Sequence, residues 1–171
     1  ITLYAKWITS GGEEPGDSNI FSSIASLSSW LSKQPGNTAD KPYKVELKGM
    51  NLDSGSNWGD LGIAIGDTND DKYIDLDLSG CTGTVIPDGK AVSSSGKVTY
   101  YGVFINCDNL ISIKLPVTLT TIGKYAFRDC EELVSVVLPE TVESINDYAF
   151  AVCYKLESIN LPDGLLSIWR N

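Results

Sequence analysis

The side chains able to do chemistry are few and poorly spaced for it. Histidine is absent from all 171 residues, which removes histidine general bases, histidine-containing triads and imidazole metal ligands together. Four cysteines remain, of which Cys107, Cys130 and Cys153 are 23 residues apart and Cys81 lies upstream. Zinc sites need close pairs such as Cys-x-x-Cys, and no two cysteines here are nearer than 23 residues. Asp67-x-Asn69-x-Asp71 matches the first three ligand positions of an EF-hand loop, and Asp75 could take the ninth. Lys72 replaces the glycine of position six, however, and Leu78 stands where the bidentate carboxylate belongs, so a solvated acidic loop is expected.

Two phosphate-loop near misses also fail. Five residues rather than four separate Gly83 from Gly89-Lys90, while Gly96-Lys97 has Ala91 at the first glycine, and Ala91 and Val98 follow the two lysines. No Gly-x-Ser-x-Gly elbow occurs. With no nucleophile–base arrangement to draw, the chain is expected to be no enzyme and to hold neither metal nor cofactor.

What would position these side chains is a repeat. Phe104, Phe127 and Phe150 are 23 apart, and so are Cys107, Cys130 and Cys153, Leu110, Leu133 and Leu156, and Pro116, Pro139 and Pro162. Aligned on these columns, the segments beginning Tyr101, Tyr125 and Tyr148 correspond. Behind each leucine comes an alternating stretch: Ser112-Ile113-Lys114-Leu115, Ser135-Val136-Val137-Leu138 and Ser158-Ile159-Asn160-Leu161. Period two sends the apolar residues to one face and the others outward, as in a short strand, and the proline ends it. A single 23-residue coil cannot bury its apolar side alone, so the coils must stack and their strands form a parallel sheet. Stacking puts the three repeat cysteines in one row, about 5 Å apart. Parallel side chains would hold the Cβ atoms too far apart for disulfides, and buried free thiols are expected.

Upstream the pattern continues in degenerate form. Tyr73–Leu78 alternates with Leu76 and Leu78 inward, and Tyr43–Leu47 with Val45 and Leu47 inward. Leu78 to Leu115 is 37 residues, one repeat plus 14, with the surplus assigned to a Gly/Ser-rich loop over 88–97. Leu47 has either Leu76 or Leu78 as partner, 29 or 31 residues on. Over 18–33, the residues Ile20, Phe21, Ile24, Leu27, Trp30 and Leu31 fall on one side of a helix that Asp17 or Ser18 would start and Pro35-Gly36 stop. Its polar face has almost no Lys or Arg, which favours a solenoid cap over a membrane-surface helix. Three segments result: 1–16 as an upstream tail and linker, 17–42 as capping helix and connection, and 43–171 as two degenerate units followed by regular ones. Trp169 could fold over the last coil.

Residues 101–168 resemble the BspA-like leucine-rich repeats of bacterial surface proteins. Leu133, Val136, Leu138, Pro139, Val142, Ile145, Ala149, Phe150 and Cys153 match the family pattern, with Asn146 in place of its glycine. The Phe104 unit departs from it by having Val103 for alanine. Ile1-Thr-Leu-Tyr-Ala-Lys-Trp7 resembles the end of an internalin-type repeat, and 9–16 then reads as a linker. The resemblance implies a leucine-rich-repeat solenoid, a right-handed superhelix that is mostly β with short parallel strands. It further implies a secreted or surface-anchored bacterial parent and adhesion to host proteins or neighbouring cells, through a domain expected to be monomeric. A spacer presenting other domains is the competing reading. The candidate recognition surface is the outward strand face: Lys44, Glu46, Asp75, Asp77, Ser112, Lys114, Ser135, Val137, Ser158 and Asn160.

Charge and hydropathy narrow the partners. A net charge of −9 repels phosphate backbones and anionic lipid, so neither nucleic acid nor direct membrane insertion is expected. No apolar run is long enough for a membrane span. Ile1 in place of Met, with no charged-then-apolar leader behind it, suggests a processed or truncated product.

Overall fold

The computed structural model describes residues 19–66 and 71–168. In chain order the elements are β1 (Ile20–Phe21), α1 (Ile24–Leu31), β2 (Tyr43–Asn51), α2 (Asn57–Gly66), β3 (Ile74–Thr82), β4 (Val85–Ile86), β5 (Lys90–Ser94), β6 (Lys97–Tyr101), β7 (Leu110–Lys114), β8 (Thr121–Ile122), β9 (Ser135–Val137), β10 (Ser144–Ile145), β11 (Ser158–Ile159) and β12 (Ser167–Ile168). The 1–7 and 9–16 segments, the Asp17 or Ser18 cap, Asp67 and Asn69 of the acidic loop, and Trp169 lie outside the described residues.

The coils stack as their spacing demands. Ser112, Ile113 and Lys114 pair with Ser135, Val136 and Val137, and Ser135 and Val136 with Ser158 and Ile159. Strands β1-β2-β3-β7-β9-β11 form one parallel sheet in that order. The upstream register is settled by Val45 opposite Leu76 and Glu46 opposite Asp77, the 31-residue spacing, with a bulge before Lys48 meets Gly80. Inward leucines, isoleucines and valines from β2 to β9 are almost wholly buried, while Ile159 of β11 is partly so.

A second parallel sheet, ordered β12-β10-β8-β4, runs up another side of the stack. Strands β8, β10 and β12 follow the turns begun at Pro116, Pro139 and Pro162, whose carbonyls accept from Leu119, Val142 and Leu165. Sequence periodicity left these strands unseen because two residues show no alternation. Hydrogen bonds here run from coil to coil in one direction: the N–H groups of Thr120 and Thr121 donate to Thr84, those of Glu143 and Ser144 to Thr120, and those of Leu166 and Ser167 to Glu143. Among the described residues β4 is the end strand of this sheet, so Thr84 has no earlier rung to donate to. Its N–H donates instead to Asp53 Oδ2 at 2.7 Å, and Gly83 N–H to Thr118 Oγ1 at 3.0 Å.

On the third side the phenylalanines form a column. The rings of Phe104 and Phe127 stack at 5.0 Å, and those of Phe127 and Phe150 at 5.1 Å, within 9° of parallel. The residue before each repeat cysteine is left-handed: Asn106 at φ 55°, Asp129 at 60° and Val152 at 65°. Asn and Asp tolerate that conformation, whereas a β-branched valine is strained in it. Above the Phe104 turn lies α2, which the repeat pattern did not announce. Trp58 meets Phe104 edge-on at 6.5 Å, and a Cβ on Gly62 would fall 1.8 Å from the Val103 carbonyl oxygen. Helix backbone and coil backbone therefore touch, which only glycine allows.

Three expectations need correction. The N-terminal helix is confined to Ile24–Leu31, with Ser23 as its N-cap accepting from Ser26 N–H at 3.2 Å. Ile20 and Phe21 are strand, because the open edge of β2 offers main-chain partners: Glu46 N–H donates to the Asn19 carbonyl at 3.0 Å. The surplus assigned to a loop over 88–97 is an antiparallel hairpin of β5 and β6, turned at Ser95-Gly96 with φ of 52° and 79°, a two-residue turn with both φ positive as hairpins prefer. Finally, Tyr101 does not begin the tyrosine column. Tyr100 packs on Tyr125 at 5.2 Å and Tyr125 on Tyr148 at 5.7 Å, while Tyr101 points to solvent.

Two substitutions test this packing by urea denaturation. Val152→Asn relieves the strained φ and raises stability by about 1 kcal/mol. Gly62→Ala, stabilising in an ordinary helix, forces α2 off the Val103 carbonyl and costs about 1–3 kcal/mol; a gain in stability would show that the close contact is absent.

Candidate recognition face

Every outward position singled out from sequence falls on the six-stranded sheet or at its end. Strand pairing arranges them in two rows. Lys44, Asp75, Ser112, Ser135 and Ser158 are successive partners in the first row, and Glu46, Asp77, Lys114 and Val137 in the second. The rows are spaced as adjacent strands are, about 4.8 Å from one side chain to the next.

Neighbours along each row interact. Ser112 Oγ donates to Asp75 Oδ1 at 2.8 Å, and Lys114 Nζ lies 3.4 Å from Asp77 Oδ2. Asp77 Oδ1 also accepts from the Ser79 N–H at 2.8 Å and hydroxyl at 2.6 Å. Glu46 pairs with Lys48 at 3.0 Å. Ser79 and Lys48 were not anticipated, since both lie beyond the alternating stretch, where the β2–β3 register shifts. The face thus grades from charged side chains of both signs on β2, β3 and β7 to neutral serines on β9 and β11, with apolar spots at Ile20, beside Glu46, and at Val137, 47% exposed.

Asn160 differs from the rest. Strand β11 ends at Ile159, and beyond it the Asn160 side chain continues the ladder. Its Nδ2 donates to the Leu138 carbonyl and its Oδ1 accepts from the Leu138 N–H, both at 2.8 Å. The amide is committed to the neighbouring coil and is not a free outward group.

The cysteines are thiols built into the stack. Cys130 donates to the Phe104 carbonyl at 2.8 Å, Cys153 to that of Phe127 at 3.1 Å and Cys81 to that of Leu47 at 3.2 Å. Burial pushes the Cys130 thiol well above its usual range, Cys153 up to about 11 and Cys81 up as well. Protonated sulfurs are poor nucleophiles and poor metal ligands. Among the described residues, no three His, Cys, Asp or Glu side chains group to hold a metal.

Outside the face, Asp53, Trp58, Thr84 and Val85 line an open cavity of about 480 Å³ at the edge of the second sheet. Burial opposes ionisation of Asp53, but the Thr84 hydroxyl and N–H, the Trp58 indole and the Val85 N–H outweigh it and hold the carboxyl below the usual range. No spacing in the sequence marks Asp53, because the strand it serves was itself invisible.

Asp75 behaves oppositely. Burial raises its carboxyl above the ordinary range against the pull of Ser112 and Lys44. A raised folded-state pKa contributes stability below the unfolded value, about 4, which is lost as pH rises through the folded value. Asp75→Asn keeps an acceptor for Ser112 and should raise the melting temperature at pH 7. The gain should shrink towards zero by pH 3, and an equal shift at both pH values would sink this account.

Among the described residues no helix is long and apolar enough to cross a membrane. Comparison with curated proteins and with solved structures returned no match. Residues 97–171, less than half of the chain, match the family model for the BspA type leucine rich repeat region, in six copies. Stacked coils at a 23-residue period agree with that match, and residues 97–171 are similar to the BspA-type leucine-rich-repeat region.

Proposed function

We propose that this chain is a non-enzymatic protein-binding module of a bacterial surface or secreted protein, engaging its ligand through the outward face of the six-stranded sheet. The observation that carries the reading is the pair of side-chain rows, Lys44 to Ser158 and Glu46 to Val137, held at strand spacing on a rigid stack. Such a face presents polar groups in fixed order at no further ordering cost, which favours recognition of a protein surface. Similarity of residues 97–171 to a family typical of surface interaction modules supports the setting. In this reading the coils follow a right-handed path, and α1 with β1 covers the N-terminal end of the stack. The absence of histidine and the high thiol pKa values support a non-catalytic role.

A spacer reading is favoured by a sheet whose strands pair in series from coil to coil, as a stiff rod requires. The two readings separate in the parent protein. Exchanging the sheet face while keeping the rod's reach abolishes adhesion if the face binds, and leaves it intact if the rod only spaces.

For the face itself, the chain is immobilised and probed with a panel of extracellular-matrix and bacterial-surface proteins. Changing Lys114→Glu and Val137→Asp together, both at exposed positions, should weaken a bound protein about tenfold or more. Unchanged affinity would remove this face from the mechanism.

A further inference from the structure

The hairpin of β5 and β6 is unlike the rest of the molecule. All its strand residues except Tyr100 are exposed, and among the described residues neither strand has any partner but the other. Two strands alone are marginal in water, and each outer edge offers a row of unpaired N–H and C=O groups. Yet the hairpin is firmly rooted. Gly89 N–H donates to the Lys124 carbonyl at 2.6 Å, and Phe104 N–H to that of Ala126 at 2.8 Å. At its base the Tyr100 ring packs on Tyr125 on one side, with the Arg128 guanidinium stacked 4.0 Å from its centroid. Gly102 permits the contact, since a Cβ there would come within 2.2 Å of the Tyr125 carbonyl oxygen.

Its charge is also the reverse of the chain's. From Gly89 to Cys107 there are two lysines and no carboxylate, in a protein of net charge −9. The pairs Lys90–Tyr101, Val92–Thr99 and Ser94–Lys97 alternate onto one face, so both lysines share it, with Lys90 Nζ 5.4 Å from the Tyr101 ring. The nearest acid in sequence, Asp88, is committed elsewhere: it accepts from the Lys124 N–H at 2.6 Å and from Asn146 Nδ2 at 3.0 Å.

We propose that this hairpin is a second docking site, which takes an extended acidic polypeptide segment as a third antiparallel or parallel strand on one of its open edges. The main-chain edge supplies hydrogen bonds that a polypeptide can match and a glycan cannot, and carboxylates on alternate residues of the incoming strand meet Lys90 and Lys97. The rigid root means that the arm is ordered before its partner arrives.

The probe is a fluorescein-labelled peptide of about ten residues alternating Glu and Thr, long enough to span a five-residue strand. It is titrated with the whole chain in fluorescence anisotropy. Saturable binding is expected, weakened by raised salt and about tenfold by Lys90→Glu with Lys97→Glu. A peptide of the same sequence with alternate backbone nitrogens methylated should not bind. Thermal melting of the double variant should match the parent, because both lysines are exposed; the anisotropy arm is read on that folded protein. The Lys114→Glu, Val137→Asp variant should bind the peptide as the parent does, which keeps this site distinct from the sheet face. The proposal is overturned if no saturable binding occurs, if the methylated peptide binds equally, or if polygalacturonate binds at the lysines while the peptide does not.

Discussion

Each coil of this protein leaves backbone hydrogen bonds on two of its sides for its neighbour to complete. That constraint governs everything else. A coil can satisfy the next one only if matching positions lie directly above each other, so the repeat length must be held to the residue across 104–168. Side chains inherit the alignment as columns of phenylalanine, tyrosine and cysteine. A thiol in such a column even donates to the carbonyl of the coil before, so its chemistry is absorbed into the stacking.

The same constraint explains the exceptions. Wherever a neighbouring coil is missing or irregular, some other group must supply the partner it would have provided. Asp53 gives its carboxylate to Thr84 and Val85 in place of an earlier carbonyl. Helix α2 covers the Phe104 turn, and its end is held by buried Asn109, whose amide donates to the Ile65 carbonyl at 2.7 Å. Asn160 extends a ladder past the end of its strand. Surplus residues between β4 and the Phe104 turn cannot be accommodated inside a coil and are extruded as a hairpin.

Function follows from what stacking leaves over. Inward positions are consumed by packing, and burial raises the Cys81, Cys130 and Cys153 thiols above their ordinary range. Among the described residues two surfaces stand out as able to meet another molecule. One is the outward sheet face, whose rows are mostly polar, ordered and graded from charged to neutral. The other is the extruded hairpin, basic and open-edged on an acidic body.

By itself the sequence determined the stacking. Identical spacing of Phe, Cys, Leu and Pro requires coils in register, and alternation in Ser112–Leu115 and its two counterparts assigns inward and outward faces. Tertiary structure alone decided the elements whose stability comes from non-local partners. Ile20 and Phe21 leave a helical pattern for the open edge of β2, and β4, β8, β10 and β12 are too short to show any period, existing only as rungs between coils. Asn160, outward by alternation, turns out to be a clasp, and Asp53, marked by nothing, closes the second sheet, because hydrogen bonding across coils is a property of stacked neighbours rather than of any single stretch of chain.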